Sequence, residues 1–156
     1  MYQFNWRPVF ANFDLLLKGL ALGLGIALLA LAIGSLIGLA AAFGRAHGPR
    51  PVRLLAAGYV ELVRNIPLLL IIYFVYFGLP LLGFSLLDNV WSFVAALALY
   101  SGAYLTEVFR AGIEAVGKGQ IEAARAIGLT RVQVARHVTI PLMFRTVLPS
   151  LGNTFI

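Results

Sequence analysis

The chain has 156 residues, 61% of them hydrophobic and only 12% charged, with a net charge of +6 and a mean hydropathy of +0.92. About 25% charged is usual for a soluble domain, so this composition excludes one and points to a membrane protein. There is no cysteine, which excludes a disulfide framework and a thiolate metal site, and His47 and His137 are too few and too far apart in sequence to suggest zinc.

In chain order, residues 1–17 mix aromatic and polar side chains and lack the basic start of a signal peptide. Tyr2, Phe4, Trp6, Phe10 and Phe13 suit either a lipid headgroup belt or an amphipathic helix packed on protein. Residues 19–44 carry no charge and would reach about 39 Å as helix, more than the roughly 30 Å of a hydrocarbon core. This is the first expected span. Gly19, Gly23, Ala27, Ala30, Gly34, Gly38 and Ala42 recur along it at helical spacing and allow close approach of another helix, with use inside one subunit favoured over a dimer contact.

Residues 45–53, RAHGPRPVR, read as a short basic loop. A second span is expected over 57–80, starting before Pro67 and ending near Pro80, two prolines that kink a helix either to line a pathway or for packing alone. No Lys or Arg follows until Arg110, which places the stretch through Asp88 outside, and the third span is expected over 89–109. Arg110, Lys118, Arg125, Arg131, Arg136 and Arg145 then put the polar loop 114–137 on the same side as the first basic loop. A fourth segment, 138–156, is long enough for barely one crossing. The expected fold is an all-α membrane protein, a bundle of about four transmembrane helices in one domain over 1–156. Its N-terminus lies outside and both basic loops are cytoplasmic. Because the basic residues fall between apolar runs instead of forming one stripe, nucleic acid is not expected as a partner.

The polar interval 118–141, KGQIEAARAIGLTRVQVARHVTIP, carries its own design. Residues 120–127 are mostly good helix formers, and Gly128 stands where a helix exits through a left-handed residue. Thr130 then begins Thr-x-x-Gln, a capping box with Gln133, so a second short helix is expected from Thr130 or Arg131. Such short helices are marginal alone in water, and Ala123, Ala124 and Ala126 offer a small, close-fitting docking surface.

Glu122-Ala123-Ala124, followed by Gly128 and by Ile140-Pro141, resembles the EAA loop of permease subunits in binding-protein-dependent ABC importers. The resemblance implies that this loop is a coupling helix seated in a cleft of an ATP-binding cassette subunit, with Glu122, Ala123, Ala124, Gly128, Thr130 and Pro141 as the coupling residues. Residues 59–69, YVELVRNIPLL, with Tyr76-Phe77-Gly78-Leu79-Pro80, Gly102-Ala103-Tyr104, Glu107 and Arg110-Ala111-Gly112-Ile113, resemble the polar amino acid subfamily. The implied partners are the ATPase, a second permease subunit, identical or not, an extracytoplasmic solute-binding protein, an amino acid and membrane lipid. The implied location is the bacterial inner membrane. Subunits of this kind have five or more spans, and this sequence stops before the last, so a truncated or incomplete permease domain is expected.

Two charge groups stand near helix ends. Glu107, Arg110 and Glu114 are spaced as a ladder on one helix face, and Glu61 and Arg64 as a similar pair. The bland reading, snorkelling at the cytoplasmic border, is favoured over a role in the pathway. Arg64, Asn65, Tyr104 and Glu107 are the candidates for lining a translocation path. No catalytic or metal site is expected, and no enzyme: Lys18 and Lys118 are each followed by Gly, so no P-loop exists, and ATP and magnesium belong to the partner ATPase. The competing function is a channel or scaffold whose basic loop binds anionic lipid.

Overall fold

The computed structural model describes residues 6–83 and 88–154. A one-turn helix α1 (Arg7–Ala11) leads into α2 (Phe13–His47), followed by α3 (Arg50–Asn65) and α4 (Leu68–Tyr73). A π-helical turn, Phe74–Gly78, joins α4 to the short α5 (Leu79–Leu81). Then come α6 (Asn89–Glu114), α7 (Lys118–Ala126), α8 (Arg131–Val134), a second π turn (Ala135–Thr139) and α9 (Ile140–Thr154). Every described regular element is helical, as expected of a membrane bundle.

α2 and α6 are the two helices that are individually long and apolar enough to cross a membrane. They pack along the small-residue seam: Ala30, Gly34, Gly38 and Ala42 are buried. A Cβ on Gly34 would lie 2.9 Å from the Ala98 carbonyl, and one on Gly38 would lie 2.9 Å from that of Gly102. Backbone thus meets backbone, so nothing larger than hydrogen fits. The seam serves the fold of one subunit, as favoured, but only from Ala30 onward. Gly19 and Gly23 have nothing within 4 Å of the position a Cβ would occupy, and Ala27 is exposed.

α6 is the hub. It contributes Val94 and Ala98 to a cluster with Ala30 of α2, Ala96 to one with Ile71 and Val75, and Phe109 and Ile113 to one with Ala42, Met143 and Val147. Asp88 starts it by accepting from the Trp91 amide at 2.9 Å, which satisfies one of the N–H groups a helix start leaves open.

Over the expected second span, 57–80, the chain forms two helical stretches, Arg50–Asn65 and Leu68–Leu81, whose axes turn by 108° across a break at the first of the two prolines expected to kink it. Pro67 has no N–H to donate and disfavours α-helical geometry at the residue before it; Ile66 is accordingly extended, with φ −103° and ψ 131°. The stretch 84–87 of the expected external loop lies outside the described residues. The expected fourth segment, 138–156, is helical from Ile140 to Thr154, about 22 Å, and residues 155–156 lie outside the description.

Both π turns precede a proline. The Leu79 amide reaches back five residues to the Phe74 carbonyl, directly before Pro80, and the Ile140 amide does the same to Ala135, directly before Pro141. A proline ring presses on the carbonyl four residues earlier, and widening the helix by one residue relieves that contact without breaking the rod.

Candidate functional site: a polar loop and a charged cavity

The loop after α6 folds as its residues dictate. α7 ends at Ala126, and Gly128 has φ +88°. The Gly128 amide donates to Arg125 at 2.9 Å and the Leu129 amide to Ala124 at 3.2 Å, the paired bonds of a Schellman stop. Thr130 caps α8: its Oγ1 accepts from the Gln133 amide at 3.4 Å, and Gln133 Oε1 accepts from the Thr130 amide at 2.8 Å. The capping box is complete.

Of the alanines expected to dock, Ala124 is buried and holds α7 to the chain, whereas Ala123 and Ala126 face outward with Glu122. Two residues that the reading of the sequence passed over stand beside them. Ile127 is 79% exposed and Val132 76%, so the loop presents a small apolar tip on either side of Gly128. Their signal was available: each is a bulky aliphatic residue in an otherwise polar stretch. Pro141 lies on the far side of the second π turn, where α9 begins, and sets the helix geometry instead of lining the tip.

The second constellation sits where α2, α3 and α6 meet. Arg45 of α2 donates from Nη1 to Glu107 Oε1 of α6. Arg110 holds the other Glu107 oxygen at 2.9 Å and Glu114 at 2.6 Å, so the ladder along α6 forms as spaced, with Arg45 added from another helix. The side chains of Arg45 and Glu107 are each 24% exposed. The expected Glu61 and Arg64 pair does not form. The Arg64 guanidinium lies 5.1 Å from the centre of the Tyr104 ring, a cation–π contact that takes its place.

These groups surround one cavity of about 390 Å³, lined by Arg45, Glu61, Arg64, Asn65, Tyr104 and Glu107 among others. All four candidate path residues are therefore brought together, Arg64 and Asn65 from the last turn of α3, and Tyr104 and Glu107 from successive turns of α6. Tyr59 fixes the approach of α3 to α6, its hydroxyl donating to the Leu99 carbonyl at 2.6 Å. The loop and the cavity are thus two separate sites, one on an exposed tip and one between helices.

Residues 34–156 match the family model of the binding-protein-dependent transport system inner membrane component. The chain belongs to that family. Within it, the chain is 41% identical over 152 residues to the probable glutamine ABC transporter permease protein GlnM of Bacillus subtilis, covering 97% of this chain and 70% of that one. It is 36% identical to the glutamine transport system permease protein GlnP of Escherichia coli K12, covering 99% and 71%. A solved structure, described as the crystal structure of an amino acid ABC transporter with histidines, superposes with a TM-score of 0.81 at 37% identity, covering 99% of this chain and 72% of that one. As a member of this transport family the chain is a membrane protein, and the competing scaffold reading loses its ground.

Proposed function

We propose that the chain is the pathway-forming subunit of an ATP-driven importer for polar amino acids in a bacterial plasma membrane. Glutamine, arginine and glutamate/aspartate permeases among its relatives support the substrate class. It pairs with a second permease subunit, receives the amino acid from a solute-binding protein on the outside, and engages an ATP-binding cassette subunit with the 114–137 loop. ATP and magnesium are held by that partner.

The observation that carries this reading is the exposed tip built by Glu122, Ala123, Ile127, Gly128 and Val132, rigidly set between a Schellman stop and a capping box. Rigidity matters because the tip must transmit displacement: closure of the nucleotide-binding subunits moves α7, and α7 moves α8 and the π turn Ala135–Thr139 on which it packs and from which α9 continues. Coupling is tested with Glu122→Lys and Gly128→Val in the complete transporter. Both variants should insert in the membrane and lose most uptake and most transport-linked ATP hydrolysis. Normal uptake and hydrolysis in either variant would end the coupling assignment.

A further inference from the structure

We infer that the cavity between the end of α2 and the loop helices α7 and α8 is a phosphate site, and that it holds the headgroup of an anionic phospholipid. The cavity measures about 170 Å³ and shares no lining residue with the charged one between α2, α3 and α6. A single water needs about 10–15 Å³, so there is room for a group of several heavy atoms. Charge is the first reason. Arg125 of α7, Arg131 of α8 and His47 from the last turn of α2 line it, and among the described residues no Asp or Glu does. Arg45 and Arg110 are matched by Glu107 and Glu114, whereas neither Arg125 nor Arg131 has an ion-pair partner among the described residues. Two guanidinium forks and an imidazole N–H suit the oxygens of one phosphate.

A buried hydroxyl is the second reason. Thr139, at the end of the second π turn, lines the cavity and is only 3% exposed. Thr106 and Thr146, in ordinary helix, each donate to the carbonyl four residues back, at 2.7 and 3.2 Å. For Thr139 that carbonyl is Ala135, which the widened turn gives to the Ile140 amide, and the Thr139 hydroxyl bonds to none of the described residues. A buried hydroxyl without a partner is costly, and a phosphate oxygen in the cavity supplies one.

Depth decides which phosphate. Phe43, whose ring stacks on His47 at 5.9 Å, lies in the last turn of the charge-free run 19–44, and His47 follows one turn later. The cavity therefore has an apolar wall from Phe43 and Ile121 and guanidinium groups beside it, at the level where an apolar helix leaves the hydrocarbon. A lipid phosphate lies at that level, and a free phosphate has no use for the apolar wall. The basic loops put this end of α2 in the cytoplasm, whose leaflet carries anionic lipids, and basic pockets between helices there take such headgroups. α7 and α8 pack chiefly on each other and on the second π turn, with α2 across the cavity, so a bound headgroup ties the loop to α2.

The test is native mass spectrometry of the complete transporter taken from nanodiscs of three parts phosphatidylcholine to one part phosphatidylglycerol, counting the phosphatidylglycerol retained. Arg125→Gln combined with Arg131→Gln, and separately Thr139→Val, should each cut retention at least threefold. Arg53→Gln, in the other basic loop and outside the cavity, should leave it unchanged. Unchanged retention in the double variant and in Thr139→Val would overturn the site, and so would an equal loss in Arg53→Gln, which would mean surface charge alone. Loss of ATPase co-elution by the double variant with retention unchanged would give the arginines to that partner and overturn it too. Thermal unfolding in detergent separates the sources: added phosphatidylglycerol should raise the Tm of the unmodified transporter and not that of the double variant, and inorganic phosphate should raise neither. A rise with inorganic phosphate alone would overturn the lipid assignment. Retention is read without transport, so it stands or falls apart from the proposed substrate and coupling.

Discussion

Gly128 is the residue at which the largest effect rests on the smallest side chain. At φ +88° any Cβ is strained, by about 1–2 kcal/mol, and a β-branched residue by more. Nothing lies within 4 Å of the position a Cβ would take, so the penalty is conformational and not a clash. Gly128→Asn should therefore keep much more uptake than Gly128→Val, because Asn tolerates the left-handed region; equal loss in both would point to a contact with the partner instead. At Glu107 the argument is electrostatic. Replacing it with Gln removes the shared counter-charge of Arg45 and Arg110, and we expect a loss of about 1–3 kcal/mol, discounted for partial exposure. Thermal unfolding in detergent would read it as a lowered Tm, and the double variant Arg45→Gln with Glu107→Gln should recover part of the loss.

Between α2 and α6 the decisive feature is the absence of side chains. Gly38→Leu would drive a side chain into the Gly102 carbonyl and Leu105, an overpacking that costs typically 1–3 kcal/mol. The same change at Gly23, which has open space around it, should leave stability unchanged, and comparison of the two Tm values checks the seam's real extent. Elements of this kind were legible in sequence to the degree that their causes are local. The stop at Gly128 and the cap at Thr130 each rest on residues within one or two turns, so spacing alone located them; spacing also marked the glycine seam, but its start at Ala30 depends on where α6 lies. The bend at Pro67 was only half legible: proline marks where a helix must break, but the 108° turn is set by how α3 and α4 pack on α6. Arg64 shows the same limit. Its partner by spacing was Glu61, yet the fold brings Tyr104, forty positions on, within reach. At the two π turns, Pro80→Ala or Pro141→Ala together with deletion of one residue from the widened turn should yield ordinary helix with all faces kept, since a π turn is one residue inserted in a helix. Retained assembly with the ATPase would bear this out.

For the whole molecule, topology is the first thing to measure. Single cysteines at Arg53 and Gln133 should be protected from an impermeant thiol reagent in intact cells, and one at Leu82 should react, the cysteine-free background making the assay clean. Labelling of Gln133 from outside would reverse the orientation. The cavity itself was legible only as four separate candidates, because its walls come from helices distant in sequence and no periodicity joins them. That separation also has a consequence in time. Arg45 and its counter-charge Glu107 are 62 residues apart, and a ribosome adding about 5–20 residues per second needs roughly 3–12 s to bridge them. Throughout that interval the glycine face of α2 and the guanidinium at its end are in the bilayer or the insertion machinery with nothing to meet them. A nascent chain stalled before α6 is complete therefore displays bare backbone and an unmatched cation.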